Sequence, residues 1–178
     1  MIDVLRLDER LIHGQVAVGW VKGSNFDTLL VVDDESANDD FVKKTLYMAA
    51  PADLRTFVMT TSEALNVLTD ERSRNRHIFT VVRHIDTLLE IAEKAIDVKE
   101  INIGNYGRLV MSDNQRYSYG GKLFLDDEEK AKLLSLKKLG IPTNFQLSPQ
   151  APKQGIESVF QKAEQGKGSG LSFHRRKI

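Results

Sequence analysis

The sequence predicts an α/β fold: an open, mostly parallel, twisted sheet of about six to seven strands with helices on both faces. Three observations predict it. Short runs rich in Val, Ile and Leu recur along the chain, and amphipathic stretches separate them, the pattern of parallel strands covered on both faces by crossover helices. The length, 178 residues, fits one domain of roughly 100 to 200 residues and is enough to bury a core without staples.

The first run, "IDVLRL", predicts a strand over 2–7, and "QVAVGWVK" a helix over 15–22, which leaves 8–14 as the first strand-to-helix loop. "TLLVV" predicts the second strand, 28–32. In "NDDFVKKTLYMAA" Asn38 is the expected N-cap, with Asp39 and Asp40 in the first turn, where free N–H groups and the helix dipole favour negative charge; Pro51 ends the helix. "RTFVM" gives a strand over 55–59, followed by a capping box from Thr60 to Glu63 with Ala64, Leu65 and Leu68 as the buried stripe. "IFTVV" gives the strand 78–82, and "DTLLEIAEKAI" places Leu88, Ile91, Ala92 and Ala95 on one helical face. Strands are expected at 100–103, 122–125 and 144–147. The last two flank the clearest helix, "DDEEKAKLLSLKKLGIP", with acids at its start, lysines in its last turn, Gly140 at its stop and Pro142 beyond. The domain is expected to span 1–165, and the glycine-rich, basic end, 166–178, to be a flexible tail.

Lys plus Arg and Asp plus Glu both number 25, so no global field draws the chain to nucleic acid or anionic lipid. The absence of cysteine excludes disulfides, thiolate zinc sites and a cysteine nucleophile, and is compatible with a reducing cytosol. The amino terminus lacks signal-peptide features, and no apolar run approaches the roughly 18–20 residues of a membrane span.

Chemistry concentrates in "RLDERLIHGQV". The 8–14 loop lies where ligands of open parallel sheets bind, at the carboxyl ends of the strands. Gly14 opens the helix, so its N–H and those of Gln15 and Val16 can point at an anion. Arg10 offers a planar fork suited to phosphate oxygens; Arg6 either reinforces it or pairs with Asp8. Among them His13 is a candidate nucleophile, since a hydrogen bond to one imidazole nitrogen leaves the other free to attack. Histidine, arginine and a row of amides suffice for phosphoryl transfer, which needs positioning and charge neutralisation and, in this set, no metal or cofactor.

Other candidates read differently. His77 and His84 are strand-end or capping residues, and His174 lies in the tail. The four histidines have no metal-site spacing. Trp20 packs in the first helix or offers an edge for docking. The glycine-bearing region 104–121 mixes Tyr106, Arg108, Arg116, Tyr117 and Tyr119; with no basic field and no phosphate-loop or dinucleotide pattern, it is expected to flank the pocket and meet a protein rather than nucleic acid.

"LRLDERLIHGQV" resembles the active-site signature of the IIB component of the mannose/fructose/sorbose family of the bacterial sugar phosphotransferase system, in which the histidine of an R-x-D-x-R-L-I-H-G-Q-V motif carries phosphate. "LLVVDDESANDDFVKKTLYMAAP" is similar to that family's second strand, acidic turn and following helix, while "INIGNYG" and "DDEEKAKLLSLKKLGI" resemble its fifth-strand loop and late helix. The resemblance implies a parallel α/β sheet and a relay: phosphate passes from a phosphohistidine of the IIA protein or domain to His13, then to a sugar held by the membrane subunits IIC and IID. It implies that Arg10 neutralises the phosphoryl oxygens and Asp8 organises the loop, in a cytoplasmic protein associated peripherally with a permease. A homo-oligomer is compatible with it. Two departures bear on the pocket. Asp33, Asp34 and Glu35 stand where relatives have a small polar residue before Asp-Glu, so a charge at Asp33 would repel phosphate if it faced the site. In the second loop Asn102, Ile103, Gly104, Asn105 and Tyr106 replace Asn-x-Gly-Gly-Met. The residues alone leave two rivals: a small α/β phosphohydrolase or phosphomutase using His13, and a non-catalytic module that holds an anion or a protein.

Overall fold

The computed structural model describes residues 1–21, 24–110 and 114–166; the expected tail, 166–178, lies outside them apart from Gly166. In chain order the strands are β1 (Ile2–Leu7), β2 (Thr28–Val32), β3 (Arg55–Met59), β4 (Ile78–Val82), β5 (Ile101–Ile103), β6 (Tyr117–Tyr119), β7 (Leu123–Leu125), β8 (Thr143–Phe145) and β9 (Gln154–Gly155). Seven of them form one sheet in the order β3-β2-β4-β1-β5-β8-β9, parallel throughout except for the antiparallel edge strand β9. β1 is central, with Leu5 beside Thr80 of β4 on one side and Ile101 of β5 on the other.

Period-two alternation sends side chains of each strand to opposite faces. Leu5, Leu7, Leu30, Val32, Ile101 and Ile103 pack under one set of helices: α3 (Thr61–Leu68), α4 (Ile85–Lys94), α5 (Asp127–Ser135) and α6 (Ile156–Gly166). Leu29, Val31, Phe79 and Val81 pack on the other face against a π-helix (Gln15–Val21) and Leu46 of α2 (Asp40–Ala49), which follows the short α1 (Asp34–Asn38). The chain thus runs outward from β1 to β3 beneath one layer and returns through β4 and β5 beneath the other. Strands whose connections leave to opposite faces open a crevice at their carboxyl ends, and here β1 lies between two such neighbours.

The structure corrects three expectations. Residues 122–125 do not join the main sheet: β7 pairs with β6 in a separate antiparallel ribbon, closed at Gly120 and Gly121, whose φ of 59° and 76° only glycine adopts readily. The seventh main-sheet strand is β9. Asn38 is not the N-cap of α2 but the last residue of α1; Asp39 caps α2, accepting from the N–H groups of Phe41 and Val42. α6 had no counterpart in the strand-and-helix expectation, although Ile156, Val159 and Phe160 are buried at helical spacing. The expected capping box of Thr60 with Glu63 is formed, and the structure adds a second, Asp126 with Glu129, at the start of α5.

Candidate functional site

β1 delivers Asp8 to the carboxyl edge, where its N–H donates to the Val82 carbonyl of β4 at 3.0 Å. The chain then turns at once: the Leu11 N–H donates to the Asp8 carbonyl (3.0 Å), and Leu11 takes φ 54°, a left-handed conformation that a leucine adopts only under constraint from its surroundings. That conformation accompanies a carbonyl placed for the side chain two residues on. His13 Nδ1 lies 3.0 Å from the Leu11 oxygen, an acceptor only, so Nδ1 carries the proton and Nε2 the lone pair. The ring is half-buried and Nε2 is buried without a hydrogen-bond partner. Burial pushes the His13 pKa below its ordinary 6.5, opposed by the Leu11 hydrogen bond and the charge of Asp8 and assisted by the charges of Arg10 and Arg6.

Asp8 is fully buried and is the hub beneath this turn. One oxygen accepts from Arg6 Nη2 (2.9 Å) and from Asn105 Nδ2 (3.4 Å); the other accepts from the N–H and Nε of Arg10 (3.3 and 3.4 Å). Arg10 stays 39 % exposed at its side chain, with both terminal amino groups free of that pairing, and can turn its fork to an incoming anion.

Arg6 does not bind at the surface, which corrects its expected place among the phosphate ligands and leaves the structural pairing with Asp8. It is 1 % exposed; Nη1 donates to Asn102 Oδ1 and to the Gln146 carbonyl (3.1 Å), and the guanidinium lies 4.7 Å from the Trp20 ring centroid. Burial lowers its pKa while Asp8 opposes the shift. Asn102 is accordingly a buried partner of Arg6 and of Gln146 (3.4 Å) rather than a pocket ligand. Gly104 allows this packing, because a Cβ there would overlap the Arg6 guanidinium, and its N–H donates to the Leu7 carbonyl (2.8 Å).

Gly14 is exposed, with open space where a Cβ would stand, and Gln15 begins the π-helix; the first N–H groups of a helix have no acceptor within it. π-helical turns occur frequently at functional sites.

Of the acidic turn only Asp33 faces inward; Asp34 and Glu35 are exposed. Asp33 caps α1 through the N–H and Oγ of Ser36 (3.0 and 2.5 Å) and pairs with Arg83 Nη2 (3.2 Å) at the end of β4, so its charge is internally compensated. Asp34 accepts from the Thr61 N–H (2.6 Å), tying the β2 and β3 loops together. His84 stands at the N-cap position of α4 without a side-chain cap, its Nε2 3.7 Å from Asp33 Oδ1. His77 precedes β4 at the opposite sheet edge and meets Asp3 (2.7 Å); His174 lies outside the described residues.

Some residues of the 104–121 region are internal, while Arg108, Leu109, Ser118, Gly120 and Gly121 are exposed. Tyr106 and Tyr119 are buried; the Tyr106 hydroxyl donates to Glu129 (2.9 Å), Arg116 pairs with Glu129 (2.6 Å), and the Arg108 guanidinium lies 5.0 Å from the Phe124 ring centroid. Residues 111–113 lie outside the described residues.

Gln146 and Glu9 are site residues that the sequence reading missed. Gln146 is distant in sequence and carries no signal; Glu9 stands inside the motif itself. Among the described residues no cluster suits a metal ion, and no helix is long and apolar enough to cross a membrane. A groove of about 400 Å³ lined by Tyr47, Phe57, Met59 and Val67 lies at edge strand β3, away from His13.

Residues 2–169 match the family model of the PTS system sorbose subfamily IIB component. The chain is 33 % identical over 145 residues to a probable phosphotransferase enzyme IIB component of Streptococcus pyogenes serotype M6, covering 79 % of this chain and 89 % of that one. It is 31 % identical over 158 residues to the N-acetylgalactosamine-specific phosphotransferase enzyme IIB component 1 of Escherichia coli K12, covering 87 % and 96 %. The crystal structure of manxB from Thermoanaerobacter tengcongensis superposes with a TM-score of 0.79 at 31 % identity, over 91 % of this chain and 96 % of that one. The crevice at β1, the histidine turn and these likenesses agree: the chain belongs to the sorbose-subfamily IIB components of the sugar phosphotransferase system.

Proposed function

We propose that this chain is the phosphocarrier of its system, one IIB-like unit spanning 1–165, and that His13 carries the group. The phosphoryl leaves the phosphohistidine nitrogen of a IIA protein or domain as its N–P bond breaks, and a new N–P bond forms on His13. His13 later yields it to a sugar held by IIC and IID membrane subunits, with the chain working in the cytoplasm beside that permease. The observation that carries this reading is the half-buried, neutral-biased ring of His13, held by Leu11 in a turn whose hub, Asp8, also holds Arg10.

The roles follow from chemistry. A neutral ring supplies a lone pair; the opposite nitrogen keeps its proton. In the resting structure the unprotonated Nε2 is buried, so acceptance requires the groups that cover it to give way while the Leu11 carbonyl keeps hold of Nδ1. Arg10 neutralises the three oxygens of the transferring group, with Gly14, Gln15 and Val16 supplying amides at the helix start. Asp8, Asn105 and the Arg6 pair set the geometry beneath.

The test is labelling from radiolabelled phosphoenolpyruvate through the upstream donor proteins. Wild type is expected to take up acid-labile, alkali-stable label, and His13→Gln none. Label undiminished in His13→Gln removes His13 from the relay. Hydrolysis of soluble phosphosugars without donor proteins would establish the phosphohydrolase instead.

A further inference from the structure

The geometry points to Glu9 as a positioning residue for phosphoryl transfer: its buried carboxylate fills a nest of three successive backbone N–H groups and thereby fixes the His13 turn onto the loop that follows β5. This inference rests on the assignment of His13 as the acceptor.

Glu9 lies between Asp8 and Arg10 yet is only 6 % exposed. A carboxylate so placed needs compensation, and among the described residues no cation forms an ion pair with it. The compensation is main chain. Glu9 Oε2 accepts from the N–H of Gly107 (2.9 Å) and of Leu109 (3.0 Å), and Oε1 from that of Arg108 (3.3 Å). Three consecutive amides converge because Gly107 takes φ 89°, and a Cβ there would run into the Phe124 carbonyl oxygen. The Glu9 N–H adds a fourth link, donating to the Asn105 carbonyl (2.9 Å).

Both ends of one residue are therefore anchored in the 105–109 loop. That orients the Asp8-to-Leu11 turn from outside. Asp8 holds Arg10, and Leu11, in its left-handed conformation, supplies the carbonyl that holds the His13 ring. Glutamine in place of Glu9 puts an NH₂ donor against an N–H donor and loses the charge, while keeping size and shape. The turn is then free to relax, and the geometry of His13 and Arg10 with it. Aspartate, one methylene shorter, cannot reach the amides without moving the turn.

The experiment compares wild type, Glu9→Gln, Glu9→Asp and His13→Gln as full chains, in single-turnover transfer from the phosphorylated donor protein, each rate expressed per folded molecule. Glu9→Gln and Glu9→Asp are expected to lower the rate at saturating donor about tenfold, with the donor concentration for half-maximal rate changed less than about twofold. The imidazole ¹⁵N shifts of His13 should move away from the Nδ1-protonated tautomer in both variants. A purely structural role would shift the thermal midpoint and leave the tautomer and the rate per folded molecule as in wild type; that result overturns the inference. So does a loss confined to the half-saturation concentration, which would place Glu9 in docking. Wild type that accepts no label overturns the His13 assignment itself, and Glu9's role with it; normal labelling of wild type and Glu9→Gln alike overturns Glu9 alone.

Discussion

His13 binds its proton less readily in the fold than in the unfolded chain, because burial disfavours the imidazolium. Between its folded pKa and 6.5 the unfolded state holds more protons, so this residue adds stability as pH rises through that window and removes it as pH falls. The same shift keeps the ring neutral near pH 7. The rate of phosphoryl acceptance is expected to fall on the acid side with a midpoint below 6.5, matching an NMR titration of the His13 ring; a midpoint above that value contradicts the burial argument. The two arginines of the motif separate by the same physics. Arg6→Ala leaves the buried Asp8 carboxylate with only its longer contacts to Arg10 and Asn105 and is expected to cost about 3 kcal/mol in denaturant melts. Arg10→Ala breaks a longer, part-exposed pair and should cost no more than about 1 kcal/mol. Its effect should appear instead in transfer, slowed about a hundredfold if Arg10 stabilises charge in the transition state.

At the scale of elements, strand bounds for β1 to β4 were legible to the residue, because an apolar run between polar turns marks burial wherever it pairs. Caps were legible where one local rule decided them, as at Thr60 and Glu63. They were not legible at Asn38, where three adjacent residues can all cap and only the tertiary course of α1 selects Asp39. Glycines divide likewise. Gly107 and Gly140 both have positive φ, yet of the two only Gly107 lies against a strand carbonyl, that of Phe124; Gly140 faces open space after the 3-10 turn Leu136–Leu139 that follows α5. Gly140→Ala is expected to cost about 1–2 kcal/mol, the price of a left-handed alanine. Gly107→Ala should cost more by thermal denaturation, and also slow transfer by breaking the Glu9 nest.

For the whole molecule, topology decides where chemistry sits. β1 is the central strand, and its outgoing loop leaves to the face opposite those of β4 and β5, so the His13 turn rises in the crevice between them. With 25 cationic and 25 anionic side chains, partner docking has no global field to draw on and depends on the local surface round this crevice. Phe160 of α6 stacks edge-on against Tyr119 at 5.0 Å, joining the last described helix to the β6-β7 ribbon and the sheet core.

The sequence by itself determined the α/β class, the principal strands, the capping box at Thr60 and the histidine motif in the first loop, since periodicity and local hydrogen bonding record burial and turn chemistry within a few residues. Tertiary structure alone decided partners. That Arg6 turns inward to Asn102, that Asp33 is neutralised by Arg83, and that Glu9 is seated on residues 107–109 all depend on contacts between residues about 50 to 100 positions apart. An apolar pattern specifies that a strand is buried, but the strand order of the sheet specifies which polar groups meet at its edge.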